Sequence, residues 1–133
     1  EEKGYTYGIS AGIMFYPDSG LLAISTETDN EYVEPLIHEV YHEIDRLHQE
    51  PVSAEELTIV RNYMLGEMCR SYESPFSLSD AWIFIATSGL DDDYFSRSLL
   101  AVNEVTPMEI QDLAQRYLCK ETLKEVIAGK KLS

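Results

Sequence analysis

"YTYGISAGIMF", residues 5–15, is the stretch on which the fold turns. Its odd positions read Tyr5, Tyr7, Ile9, Ala11, Ile13 and Phe15, and the even ones up to Met14 read Thr6, Gly8, Ser10, Gly12 and Met14. A period of two is the mark of a strand, with one face expected to be buried. "PDSG" (17–20) supplies turn chemistry, since Pro suits the second turn position and Gly is free to take positive φ. "LLAISTET" (21–28) then returns as the second strand of an antiparallel hairpin.

Beyond the hairpin the period changes. Val33, Ile37, Val40, Ile44 and Leu47, flanked by Leu36, recur at spacings of three and four, and Pro51 ends the helix they define. Its start falls between Glu31 and Pro35, because Pro is tolerated only in the first turn. "SAEEL" (53–57) is a capping box that opens a long helix through Leu57, Val60, Met64 and Met68 toward Ser71. "ESPFSLSD" (73–80) interrupts it, and Asp80 to Thr87 reads as a buried helix stopped by Gly89. Asp91 to Asp93 reads as a solvated turn before the helix "YFSRSLLAVNEV" (94–105). Thr106 caps a last helix with Pro107 in its first turn, and "LKEVIAG" (123–129) is expected to be a closing strand. Strand, strand, several helices, then strand points to an α+β fold, an open sheet with helices layered on one face.

The chain has 133 residues, which fits one domain, and 44% of them are apolar, enough for a core. Its formal charge is −14, from 24 acidic and 10 basic side chains. Such a surface argues against sequence-independent nucleic-acid binding, which needs clustered cations, and against an anionic membrane surface. No apolar run reaches the ~18 residues of a membrane span, and "EEKGYTYG" is no signal peptide. Two charges running straight into a strand pattern read as a piece of a longer protein. Cys69 and Cys119 lie outside any C-x-x-C spacing and imply neither a disulfide framework nor a Cys-based zinc site. They are expected to be buried free thiols, with pairing open to them in an oxidising compartment.

"HEVYHEIDRLH" (38–48) contains H-E-x-x-H, in which two His one turn apart hold zinc and the Glu activates water. His48 stands where one branch of such sites keeps a third ligand, but the Gly that lets the chain swing back is replaced by Asp45. On an unbroken helix His48 lies about 15 Å along the axis from His38 and about 80° round from it. It cannot reach the same ion. With Val40 at the centre of the apolar stripe, His38 and His42 each lie roughly 160° away, toward water. A self-contained zincin built on His38, Glu39 and His42 is therefore disfavoured. No Met-turn is present either, since Met64 and Met68 lie on an apolar stripe and read as core.

Five segments in order carry a resemblance. "EEKGYTYGI" (1–9) is similar to the second-domain signature Arg-Glu-x-x-Gly-x-x-Tyr of the insulinase, pitrilysin and mitochondrial processing peptidase family. "HEIDRLHQEPVSAEEL" (42–57), "RNYMLGEMCRSYES" (61–74), "VNEVTPMEIQDLAQRYL" (102–118) and "KEVIAG" (124–129) resemble later segments of the same domain. The resemblance implies a zinc metallopeptidase, or a non-catalytic partner of one, whose α/β domains close as a clamshell around a peptide. The family's metal motif, H-x-x-E-H, lies in another domain and does not occur here. The implied segment is a truncated C-terminal, non-zinc domain that forms chamber wall and holds no metal of its own. Its partners would be a peptide substrate and a zinc domain, in the same chain or in a partner subunit of a dimer.

The resemblance carries one functional position to this chain. Tyr7 matches the family Tyr that hydrogen-bonds the substrate backbone and helps stabilise the developing oxyanion; the paired Arg would fall just before Glu1. Alternation alone would make Tyr7 a core aromatic beside Ile9 and Ile13, with Gly8 able to relax that pattern. Glu73 matches a family Glu assigned to structure.

Overall fold

The computed structural model describes residues 4–16 and 18–130. The turn role expected of Pro17 and the signature position Glu1 lie outside the described residues. The element order is β1 (Thr6–Tyr16), β2 (Ser19–Thr28), α1 (Val33–Gln49), α2 (Ala54–Arg70), α3 (Pro75–Ser88), α4 (Tyr94–Glu104) and α5 (Pro107–Tyr117). The fold is α+β, among the described residues a two-stranded antiparallel sheet followed by five α-helices. The chain divides into two compact units, one of residues 1–50 and 113–133, the other of residues 51–112.

In the first unit the hairpin register sets Ile9, Ala11, Ile13 and Phe15 opposite Thr26, Ile24, Leu22 and Gly20 on one face. Ser10, Gly12 and Met14 meet Ser25, Ala23 and Leu21 on the other. The alternation read from the sequence is there, but the burial it implied is not: Ile9, Ile13, Phe15, Leu22 and Ile24 are all exposed. A two-stranded sheet has no second layer of its own, and pairing strands does not by itself remove an apolar face from water.

Helix α1 buries Leu36 and Ile44, half-buries Val33, Ile37, Val40 and Leu47, and turns Glu34, His38 and His42 outward. This is the face the spacing gave. The C-terminal half of α5 and the chain beyond it are clipped to α1. His48 Nε2 lies 3.0 Å from the Ala114 carbonyl, and the Gln115 amide donates back to the His48 carbonyl at 2.8 Å. Lys120 pairs with Asp45 and sits over the Tyr41 ring, 5.6 Å from its centroid. The Tyr41 hydroxyl donates to Glu125 at 2.8 Å, a bond that raises the phenol's pKa from its ordinary value.

Residues 123–129 therefore do not form the expected closing strand. Their polar anchors run to a helix rather than to a strand edge, and Val126 is left 91% exposed.

The second unit is helical. Ser53 caps α2, accepting from the Glu56 N–H at 3.1 Å. Arg61 on α2 donates through Nε to the Val102 carbonyl at 3.1 Å and through its guanidinium to the Val105 carbonyl at 2.5 Å. These carbonyls close α4, so one side chain satisfies groups the helix end leaves open. Leu57, Val60, Met64, Ala101, Val102 and Ile110 line an apolar hollow of 280 Å³ beside that clasp.

Helix α3 begins earlier than the sequence reading placed it. Ser74 accepts from the Ser77 N–H at 3.0 Å and Pro75 occupies the first turn, so "SPFS" is a helix start rather than an interruption. Gly89 ends α3 as expected, at φ +65°, but the helix is not buried: Ile85 is, whereas Trp82 and Ile83 are exposed. Around the α3–α4 turn Tyr72, Phe84, Tyr94 and Phe95 form edge and tilted ring contacts at 4.8–5.9 Å.

The cysteines are free, as expected, but Cys69 is exposed and Cys119 half-buried, because both sit off the apolar stripes of their segments.

The start of α5 is a full capping box. Thr106 N–H and hydroxyl both donate to Glu109 at 2.8 Å, and the Glu109 N–H donates to the Thr106 hydroxyl at 3.3 Å. Those bonds lower the Glu109 pKa from its ordinary value. A carboxyl depressed on folding contributes stability that is present above its unfolded pKa and lost as pH falls through the folded one. Thr106→Val should thus destabilise the chain at neutral pH, and the gap from the parent should narrow on acidification below the carboxylate range. Urea melts at pH 7 and pH 3 read this directly, and a gap that widens in acid would contradict it.

Candidate functional site

Tyr7 lies where the strand register breaks. Thr6 pairs with Thr28 and Ile9 with Thr26, so Tyr7 and Gly8 together oppose the single residue Glu27. Two residues against one is a β-bulge, a device that bends a strand and re-aims a side chain. Two threonines pin it. The Thr6 hydroxyl lies 2.8 Å from that of Thr26 and 2.7 Å from the Glu27 carbonyl, and it accepts from the Gly8 N–H at 3.1 Å. The Thr26 hydroxyl donates to the Gly8 carbonyl at 2.9 Å, and Thr28 donates to the Tyr5 carbonyl at 2.5 Å.

The bulge puts Tyr7 at a break in the alternation. Its side chain is 106% exposed, while Tyr5 beside it is half-buried and stacks on Tyr32 with ring centroids 5.5 Å apart. Ile9 and Ile13 on the same alternation are exposed as well, at 54% and 60%, so what sets Tyr7 apart from them is the bulge beneath it. A phenol on a pinned bulge is a donor whose backbone is already ordered, which is what hydrogen bonding to a carbonyl oxygen requires. The pins, Thr6 and Thr26, are the residues that sequence reasoning missed. Gly8 signalled the break in alternation, but the cross-strand partner of Thr6 depends on register.

The H-E-x-x-H residues are placed differently. His38 and His42 are exposed, Glu39 is half-buried, and α1 continues unbroken through Asp45 to Gln49. His48 is committed to the Ala114 carbonyl. Among the described residues no three or more His, Cys, Asp or Glu side chains are grouped to hold a metal ion. The residues present do not fit a catalytic zinc. Glu73 is exposed in the turn between α2 and α3. Among the described residues no helix is long and apolar enough to cross a membrane.

No curated protein matches the chain. Residues 1–64, just under half of its length, match the family model described as the peptidase M16 inactive domain. The match takes in the hairpin with Tyr7, all of α1, and α2 as far as Met64. It covers "EEKGYTYGI" and the junction "HEIDRLHQEPVSAEEL" in full, and the later resembling segments lie partly or wholly beyond it. An inactive domain fits a segment whose histidines assemble no zinc site. Residues 1–64 of this chain are similar to the inactive domain of the peptidase M16 family.

Proposed function

We propose that the chain is part of a zinc metalloendopeptidase that hydrolyses peptides inside a clamshell chamber. It is a truncated C-terminal, non-zinc domain of a longer protein and supplies chamber wall. Zinc is held by another domain, in the same chain or in the partner subunit of a dimer. Tyr7 donates its O–H to the peptide carbonyl oxygen as charge develops on it. The match of residues 1–64 to the peptidase M16 inactive domain is the observation that supports this reading, and the bulge pinned by Thr6 and Thr26 is what favours Tyr7 as the donor. The donor acts by position: the backbone beneath it is already ordered, so little has to reorganise when the carbonyl becomes an oxyanion.

A peptide-cleavage assay tests the assignment. The complete protein, with its zinc-domain partner where that is a separate subunit, should cleave peptides, lose activity to a chelator and regain it on zinc addition. The 133-residue chain alone should be inactive. Hydrolysis by the chain alone, or cleavage indifferent to the chelator, would overturn the reading. The description of the matched domain as inactive also favours a second reading, a non-catalytic peptide-binding or assembly subunit of the same fold. The complete protein would then bind peptide without cleaving it.

A further inference from the structure

The two histidines that do not build a catalytic centre are arranged for a simpler task. His38 and His42 are both exposed and stand one turn apart on α1, which is helical without interruption from Val33 to Gln49. On such a helix their Cβ atoms are about 5–6 Å apart on one face. Among the described residues neither ring takes part in a hydrogen bond or ion pair. Nearby carboxylates are engaged by cations: Glu43 pairs with Arg46 at 2.9 Å, and Asp45 pairs with Lys120. Glu34 is exposed one turn before His38, and the two imidazoles are the nitrogen ligands on that face, in a chain whose charge of −14 favours cations.

We propose that His38 and His42 form a two-histidine surface site for a late first-row divalent cation, with Cu(II) held more tightly than Ni(II) or Zn(II). Imidazole nitrogen suits this class of ion, and the order follows the intrinsic affinities of these metals for nitrogen ligands. A tetragonal Cu(II) ion needs only two adjacent nitrogens from the protein, with water in the other positions. Zinc sites are built from three or four protein ligands, and no third lies in reach among the described residues. By bridging one turn the ion binds the helix more tightly than the unfolded chain, so stability rises with the logarithm of its concentration above its dissociation constant. The site is independent of the peptidase reading and is tested on this chain alone.

The experiment is calorimetric titration of the 133-residue chain with Cu(II), Ni(II) and Zn(II) in a non-chelating buffer, with circular dichroism of each variant. One ion per chain is expected, in that order of affinity. Loss of even an outer-shell partner costs about 10–100-fold in affinity, so His38→Ala and His42→Ala should each weaken binding at least about tenfold. His48→Gln should leave it unchanged. Spacing supplies the sharper control. Adding Arg46→His to His38→Ala recreates a one-turn pair with His42 and should restore binding. Adding Glu43→His to His42→Ala puts the two rings about 140° apart and should not. No saturable binding, binding unchanged in both single variants (an adventitious ion only), or rescue by the misplaced pair would each overturn the proposal.

Discussion

Tyr7→Phe in the complete protein is expected to lower kcat for peptide hydrolysis by about 100- to 1,000-fold, the usual loss for one oxyanion donor. KM should barely move, because a bond made only as charge develops stabilises the transition state and not the bound substrate. The substitution removes one oxygen from a side chain that is fully exposed, so folding stability should shift by less than about 0.5 kcal/mol. Tyr5→Phe is the natural comparison. That ring stacks on Tyr32 rather than facing solvent, and its loss of a hydroxyl should leave kcat alone. An unchanged kcat in Tyr7→Phe would end the donor role while leaving the family assignment standing.

Ile44→Ala should cost about 2–4 kcal/mol of stability, within the range for deleting a buried branched side chain. Ile44 is 3% exposed, and among the described residues of the first unit it is buried together with Leu36 and Ala114. So small a core has few other side chains to close over the cavity. The same change at Ile59, 65% exposed on α2, should stay within about 0.5 kcal/mol. Urea unfolding of the two variants gives the contrast, and a loss below about 1 kcal/mol at Ile44 would show that α1 is not anchored through this face.

The sequence was legible where local chemistry decides the outcome. The hairpin alternation, the cap at Ser53, the stop at Gly89 and the outward face of His38 and His42 depend on neighbours within a few positions. Tertiary partners decided the rest. The period of two in residues 5–15 predicts which side chains share a face, but not whether a second layer covers it. "LKEVIAG" has the composition of a strand, yet Glu125 is drawn to Tyr41 and leaves no edge to pair with. The start of α3 was misplaced because "ESPF" combines a break and a cap, and only the bond from Ser77 to Ser74 distinguishes them. At the candidate site the position of Tyr7 came from resemblance, and Gly8 hinted at its release. The bulge itself required knowing that Thr6 faces Thr26 across the sheet.

The open hairpin also bears on how the protein behaves in concentrated solution. Thr6–Tyr16 contains no charged residue and Ser19–Thr28 only Glu27 near its end, and among the described residues both strands have an unpaired outer edge with apolar side chains exposed beside it. Short segments with so little charge are templates for strand addition between copies. The guard against it is mostly remote: the −14 of the whole chain, carried, apart from Glu27, by residues outside the two strands. Repulsion of that sort reaches about 10 Å at 0.1 M salt and only about 3 Å at 1 M. Ionic strength therefore sets how close two hairpins approach before their edges meet.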